Sequence, residues 1–298
     1  MSRIQDILNK AEREGSARRT RSIGTDAPVG TPPSPVAAPP PTPVHRPIVE
    51  PTPIAERREA RARLAEQASP HREVNLDRHL VAALAPQSLA AEQYRSLRTR
   101  ISRMENGRAV RVLIVTSPAK GDGKSLTAAN LALAMAEEFS QRVLLIDADL
   151  RRPSVHHLFD LPEAPGLTDV LMGGATLDDA LVTLADHHLT VLPSGVPPSH
   201  PAELLGSAAM RRTIDTLRTR FDRLILDMPP VAPLADVNIA AAVADGILLI
   251  VRAGMTQKPA IERALGGLDT TKVLGLVLNE VGAEATYQDY AGYKYVAG

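Results

Sequence analysis

Gly123, Lys124 and Ser125 carry the clearest chemical pattern of this chain, inside the stretch SPAKGDGKSLTAANLALAMA. At such a loop-to-helix junction, backbone N–H groups face an anion, the lysine reaches the β- and γ-phosphates, and the hydroxyl ligates Mg²⁺. Pro118 stands five residues before Gly123, where the usual pattern has a glycine. An apolar run, a loop and a helical segment in this order still predict a nucleoside triphosphate site. The predicted nucleotide-binding segment is Lys120, Gly121, Asp122, Gly123, Lys124, Ser125 and Leu126.

Three aspartates stand at the ends of other apolar runs. Asp147 and Asp149 lie in VLLIDADLRRP, shortly before Arg151, and Asp227 ends FDRLILD, 103 residues after Lys124. A buried strand that ends in aspartate beside a phosphate loop can hold Mg²⁺, mainly through water. Each aspartate alone would fit a helix cap or a loop equally well. Together with the phosphate loop, Asp147 and Asp227 are predicted to belong to the same site.

Parallel strands separated by helices would bring these side chains together. Short apolar runs alternate with helical stretches such as 124–138 and 203–220. The runs span 110–117, 142–149, 189–195, 223–230, 246–254 and 272–281. Strands that are apolar on both faces indicate an α/β fold of three layers, with a mostly parallel sheet between helices. Such sheets bind ligands at the carboxyl ends of their strands.

The segments on either side of this pattern differ from it in composition. Residues 1–74 are predicted to form a disordered extension that contains a short amphipathic helix, a proline-rich linker and a charged helix. Eleven prolines between residues 24 and 53 disfavour both helix and sheet there. The folded domain is predicted to span 75–282, and 283–298 to form a flexible tail.

The composition limits the possible functions. The 298 residues include no cysteine, so neither a disulfide nor a cysteine metal site can form. The formal net charge of 0 gives no overall attraction to nucleic acid, and no nucleic-acid partner is expected. No apolar run approaches the roughly 18 residues of a membrane span, and the first residues do not resemble a signal peptide. The expected location is the cytoplasm.

Three motifs in this order resemble those of the bacterial tyrosine kinases. They are the phosphate loop, the Asp-x-Asp-x-Arg segment at 147–151 and the Leu-Asp-x-Pro-Pro segment at 226–230. The chain looks like the polysaccharide-biosynthesis tyrosine autokinases of the CpsD and CapB type, in their separate cytoplasmic form. The resemblance covers about residues 75–298 and implies a P-loop NTPase fold of the deviant-Walker class.

The resemblance also implies roles for matched residues, with ATP and Mg²⁺ as cofactors. Asp147 would accept the proton of an incoming tyrosine hydroxyl, Arg151 would steady phosphate charge, and Asn279 would contact adenine. Ser125, Asp149 and Asp227 would form the metal shell. The implied catalytic residues are Lys124, Asp147, Asp149 and Asp227.

Assembly is a further implication of the resemblance. Glu92, Arg95 and Arg98 form a Glu-x-x-Arg-x-x-Arg pattern that in the family lies on the helix that assembles a ring; alternatively, they are a charge set within one helix. Ala119 occupies the slot of the signature lysine of partition ATPases, and Lys120 follows it, which favours the kinase branch. The implied partners are further copies of the chain, a membrane-embedded activator of the polysaccharide chain-length (co-polymerase) type and a cognate tyrosine phosphatase. The activator would recruit the chain to the inner face of the cell membrane.

The C-terminal stretch ATYQDYAGYKYVAG contains four of the five tyrosines of the chain. They are Tyr287, Tyr290, Tyr293 and Tyr295. Taken alone, the stretch fits an unstructured end; with the resemblance, these residues are predicted phosphoacceptors. The main hypothesis is therefore an ATP-dependent tyrosine autokinase that regulates the synthesis and export of a capsular polysaccharide or exopolysaccharide. Two alternatives stay open, namely a partition- or positioning-type ATPase switch and a nucleotide-binding, non-catalytic scaffold of a membrane complex.

Overall fold

The computed structural model describes residues 75–104, 109–138, 141–231 and 235–281. The predicted extension at 1–74 and the tail at 283–298, with its four tyrosines, lie outside these residues. The strands are β1 (Val112–Thr116), β2 (Val143–Asp147), β3 (Val182–Leu184), β4 (Leu189–Leu192), β5 (Arg223–Asp227), β6 (Gly246–Arg252) and β7 (Val273–Asn279). The α-helices are α1 (Val81–Leu84), α2 (Leu89–Met104), α3 (Lys124–Ala136), α4 (Val155–Leu158), α5 (Leu167–Leu171), α6 (Leu177–Ala180), α7 (Pro201–Leu205), α8 (Ala208–Arg220), α9 (Asp236–Ala240) and α10 (Lys258–Gly266). Among the described helices, none is long and apolar enough to cross a bilayer.

The seven strands form one sheet in the order β3-β4-β2-β5-β1-β6-β7. All neighbouring pairs are parallel except β3 and β4, which are antiparallel. Each of the six predicted apolar runs contains one strand, which confirms the mostly parallel sheet. The strands end before the runs do. In the run that contains β5, the last two residues are Pro229 and Pro230, which cannot donate to a strand ladder.

The edge strand β3 was not predicted from the sequence. Its three residues pair with β4 through a short turn, a 3₁₀ helix over Ala185–His187. His188 closes that turn with a positive φ of 52°. A strand this short carries too few alternating residues to stand out in the pattern of hydrophobicity.

Both faces of the sheet are buried in apolar clusters, as expected for a parallel sheet between helices. Along β1, Val112 and Ile114 belong to one cluster, while Leu113 and Val115 belong to the other. The helix α3 packs into the second cluster and is buried from Thr127 to its end.

The predicted helical stretch 203–220 is in fact two helices, and the single-helix prediction was wrong. Helix α7 ends before Gly206, and α8 begins after Ser207. The Ser207 hydroxyl accepts a hydrogen bond from the N–H of Met210 at 3.1 Å, which is a standard helix N-cap. Glycine followed by a capping serine therefore ends one helix and begins the next.

Candidate nucleotide site

The sheet order places the predicted phosphate loop and two of the three aspartates side by side. Strand β5 lies between β1 and β2. In the register, Asp227 of β5 pairs with Val115 of β1 on one side and with Asp147 of β2 on the other. The loop that follows β1 therefore begins next to both carboxyl groups. The prediction that these residues meet at one edge of the sheet is confirmed.

The phosphate loop leaves backbone N–H groups available at the start of α3. Gly121 and Gly123 both have a φ of 89°, a conformation that favours glycine. Gly123 occupies the N-cap position, and no side chain caps the helix. Because the first N–H groups of a helix have no partner within it, this uncapped end of a 13-residue helix suits an anion.

Lys124 is held by the carboxylates of the neighbouring strands. Its Nζ lies 2.8 Å from Oδ2 of Asp149 and 3.3 Å from Oδ1 of Asp227. It also donates to the Ser125 hydroxyl at 3.1 Å. The side chains of Lys124, Asp149 and Asp227 are 13%, 5% and 0% exposed, so this ion cluster is almost entirely shielded from solvent.

Burial and mutual charge shift the pKa values of this cluster. Burial raises the pKa of Asp227, although the charge of Lys124 and a hydrogen bond from Ser125 oppose the shift. For Lys124, burial lowers the pKa, but the charges of Asp227 and Asp149 outweigh it, so the net shift is upward. Burial, and then the charge of Asp227, raise the pKa of Asp147 to about 7. Asp149 and Asp227 place two carboxyl groups beside the single ammonium group of Lys124, an arrangement that favours an added cation.

Asp147 is engaged with backbone rather than with Lys124. Its Oδ2 accepts N–H groups of Ser154 and Val155, each at 2.9 Å, and its Oδ1 accepts that of Asp149 at 3.2 Å. The side chain is fully buried. These contacts anchor the loop after β2. The role of Asp147 as a proton acceptor for tyrosine stays a prediction, and its burial argues against direct contact with a substrate hydroxyl.

The donor set fits a magnesium ion that keeps most of its water. Among the residues that the structure describes, no group of three or more His, Cys, Asp or Glu side chains is arranged to ligate a metal directly. Mg²⁺ is usually bound through one or two carboxylates, waters and substrate phosphates, so such a group is not required. Ser125, Asp149 and Asp227 supply a hydroxyl and two carboxylates around one ammonium group.

Arg151 forms an ion pair with Asp236, a contact that the sequence did not suggest. Its guanidinium donates to both oxygens of Asp236, at 2.7 and 3.0 Å. Asp236 opens α9 and is 1% exposed, so the pair joins the loop after β2 to the segment that follows β5. The role of Arg151 in steadying phosphate charge stays a prediction.

Asn279 lies against the phosphate loop, at the end of β7. Its Nδ2 donates to the backbone carbonyl of Asp122 at 3.0 Å. The Asp122 carboxylate in turn accepts the N–H of Ala119 at 2.9 Å and the hydroxyl of Thr256 at 2.7 Å. The loop and the residues after β6 border a cleft of about 330 Å³, which includes Lys120 and Arg252. Contact between Asn279 and adenine stays a prediction. Thr256 carried no motif by which it could have been found.

Leu126 takes a different position from the polar residues of the predicted segment. It lies in the first turn of α3 and packs against the second apolar cluster. Its backbone N–H remains one of the uncapped groups at the helix start, so only its main chain faces the site.

Glu92, Arg95 and Arg98 lie on α2, where the two arginines already have partners within the chain. Arg95 donates to Glu92 at 2.9 Å and lies 3.6 Å from Glu137. Arg98 donates to the carbonyl of Ala134 near the end of α3. The bond between Arg95 and Glu92 fits the alternative of a charge set within one helix, whereas the contacts with Glu137 and Ala134 reach the end of α3. The contact between subunits stays a prediction.

Comparisons with known proteins extend this geometry. An AAA domain family, AAA_31, matches residues 110–268, which is more than half of the chain. The tyrosine-protein kinase YwqD of Bacillus subtilis is 40% identical over 206 residues, which cover 68% of this chain and 86% of that relative. The chain belongs to the bacterial tyrosine-protein kinases.

Two further relatives agree with this assignment. The tyrosine-protein kinase CpsD of Streptococcus agalactiae is 35% identical over 68% of this kinase and 89% of that relative. The crystal structure of the chimerical protein CapA2B2 matches with a TM-score of 0.66 and 31% identity, over 70% of this kinase and 92% of that chain. The resemblance inferred from the motifs and the P-loop NTPase fold with three layers are both confirmed.

Proposed function

We propose that this protein-tyrosine kinase transfers the γ-phosphoryl group of ATP, with Mg²⁺, to tyrosines of its own C-terminal tail. The observation that carries the proposal is the position of Lys124, at the start of an uncapped helix between the carboxylates of Asp149 and Asp227. Phosphoryl transfer depends mainly on positioning and on neutralisation of phosphate charge. This arrangement supplies both an anion site and an acidic cation site within one cluster.

The residues of the site would have separate roles in binding the phosphates, the metal and the nucleoside. The N–H groups of residues 121–126 bind phosphate oxygens, and Lys124 exchanges its carboxylate partners for the phosphates. Ser125 and the two released carboxylates, Asp149 and Asp227, would hold Mg²⁺, partly through water; when bound, the ion would supply further neutralisation of phosphate charge. The nucleoside would extend toward the cleft beside Arg252.

The last strand of the sheet ends next to this site. Strand β7 ends at Asn279, which contacts the phosphate loop, and Tyr287 follows eight residues later. A tail of about 16 extended residues spans on the order of 50 Å, which is enough to reach a neighbouring copy. We therefore propose that the phosphoacceptors Tyr287, Tyr290, Tyr293 and Tyr295 are used between subunits of a homo-oligomer.

Mass spectrometry after incubation with Mg²⁺-ATP tests the activity. We expect phosphate on the tail tyrosines of the wild type and none in Lys124→Met. Lys258→Met is a matched control, because the Lys258 side chain is 80% exposed and lies on α10. Tyr94 is an internal control and should stay unmodified, because it packs against the second apolar cluster and its hydroxyl bonds to Thr127.

The outcomes separate the hypotheses. An unlabelled tail with intact ATP turnover would refute the proposal and favour a partition-type ATPase switch. Binding of nucleotide without turnover or labelling would favour a scaffold role. Labelling that persists in Lys124→Met would contradict the role given to the phosphate loop.

We further propose that the kinase regulates the synthesis and export of a capsular polysaccharide or exopolysaccharide beside a membrane-embedded activator of the chain-length type. The support is the resemblance of its motifs to the polysaccharide-biosynthesis autokinases. Tail phosphorylation would add on the order of −1.5 to −2 charges per tyrosine, which favours dissociation of a ring of like tails, and a tyrosine phosphatase would reverse it. Affinity purification of the full chain with ATP present should recover a membrane protein, and recovery of none would contradict the recruitment.

A further inference from the structure

The Ser125 hydroxyl has a neighbour that no nucleotide-binding motif includes. Ser154, in the loop after β2, donates its hydroxyl proton to Oγ of Ser125 at 3.0 Å. The two residues are 29 positions apart in the sequence and meet because β2 ends near the start of α3. The contact joins the phosphate loop directly to the loop that carries Asp149.

The backbone of Ser154 is itself held in place by the buried Asp147. Its backbone N–H, and that of Val155, donate to Oδ2 of the buried Asp147 at 2.9 Å. The other oxygen of Asp147 accepts the N–H of Asp149. The backbone N–H groups of Asp149 and Ser154 are therefore bound to the same buried carboxylate, which fixes the positions of the two residues relative to each other.

The hydrogen bonds of the Ser125 hydroxyl account for all its capacity. A hydroxyl has one proton and two lone pairs. Here Lys124 and Ser154 each donate to the oxygen, and the hydroxyl bonds to the Asp227 carboxylate, whose pKa it lowers. A metal ion needs one of these lone pairs. Since phosphates would draw Lys124 away, the bond from Ser154 is the one that can remain while Ser125 ligates a metal.

We infer that Ser154 is a positioning residue for the metal site. Its backbone is held by Asp147, and its hydroxyl keeps the proton of Ser125 on Asp227 and a lone pair of Ser125 open to Mg²⁺. Without this bond the Ser125 hydroxyl would be free to rotate into other staggered orientations. The inference rests on the proposed use of Mg²⁺-nucleotide by this site. It assigns to Ser154 no contact with ATP or with the tail.

Binding of a fluorescent ATP analogue to the full chain, with Mg²⁺ and separately with EDTA, tests this inference. Ser154→Ala should weaken binding about three- to tenfold with Mg²⁺, as loss of one hydrogen bond would, and leave binding in EDTA within about twofold. The Mg²⁺ concentration for half-maximal binding should rise by a similar factor. Ser154→Thr keeps the hydroxyl and should restore the wild-type values. Thr216→Ala, which removes an exposed hydroxyl on α8, should change neither measurement.

Each other outcome would overturn a different statement. Equal losses with Mg²⁺ and with EDTA, together with a lower melting temperature of the ligand-free chain, would show that Ser154 only supports the loop. Unchanged binding in both conditions would show that its hydroxyl has no role. If Mg²⁺ has no effect on binding of the analogue to the wild type, the proposed use of Mg²⁺ by this site is refuted, whatever the role of Ser154.

Discussion

Gly123→Ala would place a methyl group where the chain approaches itself most closely in the site. A Cβ at this position would lie 2.1 Å from Nδ2 and 3.3 Å from Cγ of Asn279. Asn279 cannot simply turn aside, because the same Nδ2 donates to the carbonyl of Asp122 at 3.0 Å. Gly121 provides a matched control: it has the same φ of 89°, but a Cβ there would meet nothing within 4 Å.

The expected cost follows from these two differences. A side chain at positive φ costs about 1–2 kcal/mol at either position. At Gly123, the clash also breaks the Asn279 hydrogen bond, which adds about 0.5–1.5 kcal/mol. The gain from a less flexible unfolded chain is common to both variants and cancels when they are compared. We therefore expect Gly123→Ala to lower the free energy of unfolding by about 1 kcal/mol more than Gly121→Ala does.

Urea unfolding of both variants measures this difference, and the Asn279→Ala background isolates its cause. With the amide removed, the two glycine variants should become equally costly. Equal costs in the wild-type background would refute the argument, because the approach of Asn279 would then impose nothing on Gly123. A difference that persists without Asn279 would place its origin elsewhere in the loop.

Two further predictions concern buried charge. Asp147 has a pKa of about 7 in the fold against 3.8 as the ordinary value, so the folded state binds its proton more tightly than the unfolded state, and the free energy of unfolding should fall as the pH rises between these values. Asp147→Asn should flatten this dependence in melting curves of the ligand-free chain, and an unchanged slope would contradict the assignment. Arg151→Met leaves the buried Asp236 without its partner and should cost about 1–3 kcal/mol, less than for a fully buried pair because Arg151 is partly exposed. Adding Asp236→Asn should recover most of that loss in urea unfolding, whereas a double variant as unstable as the single one would show that the charge of Asp236 was not the cause.

The parts of the site that follow local rules could be predicted from the sequence. An apolar run that ends in aspartate gave the ends of β2 and β5, and the spacing of Gly123, Lys124 and Ser125 gave the loop and the helix start. Each of these patterns is completed within about ten residues, and parallel pairing then brings their ends together.

The contacts that fix the site were not predictable in this way. Ser154 meets Ser125 across 29 positions, Arg151 meets Asp236 across 85, and Thr256 meets Asp122 across 134. A serine, a threonine or an aspartate in a loop has many possible partners, so its residue type alone does not indicate one. The short strand β3 and the break between α7 and α8 were missed for a related reason, since a few residues carry too little periodicity.

Pro118 in place of the usual leading glycine is explained by the backbone of the loop. Proline fixes φ near −65°, and in this loop a positive φ occurs only later, at Gly121 and Gly123. Proline also lacks an N–H, but the loop is closed by the next residue, since the N–H of Ala119 is accepted by the carboxylate of Asp122 at 2.9 Å. The side chain of Asp122 thus takes over part of the closure of the turn, and Thr256 holds that carboxylate from the loop after β6. The first position of the motif therefore needs no glycine here, because the positive φ angles that require glycine occur at Gly121 and Gly123.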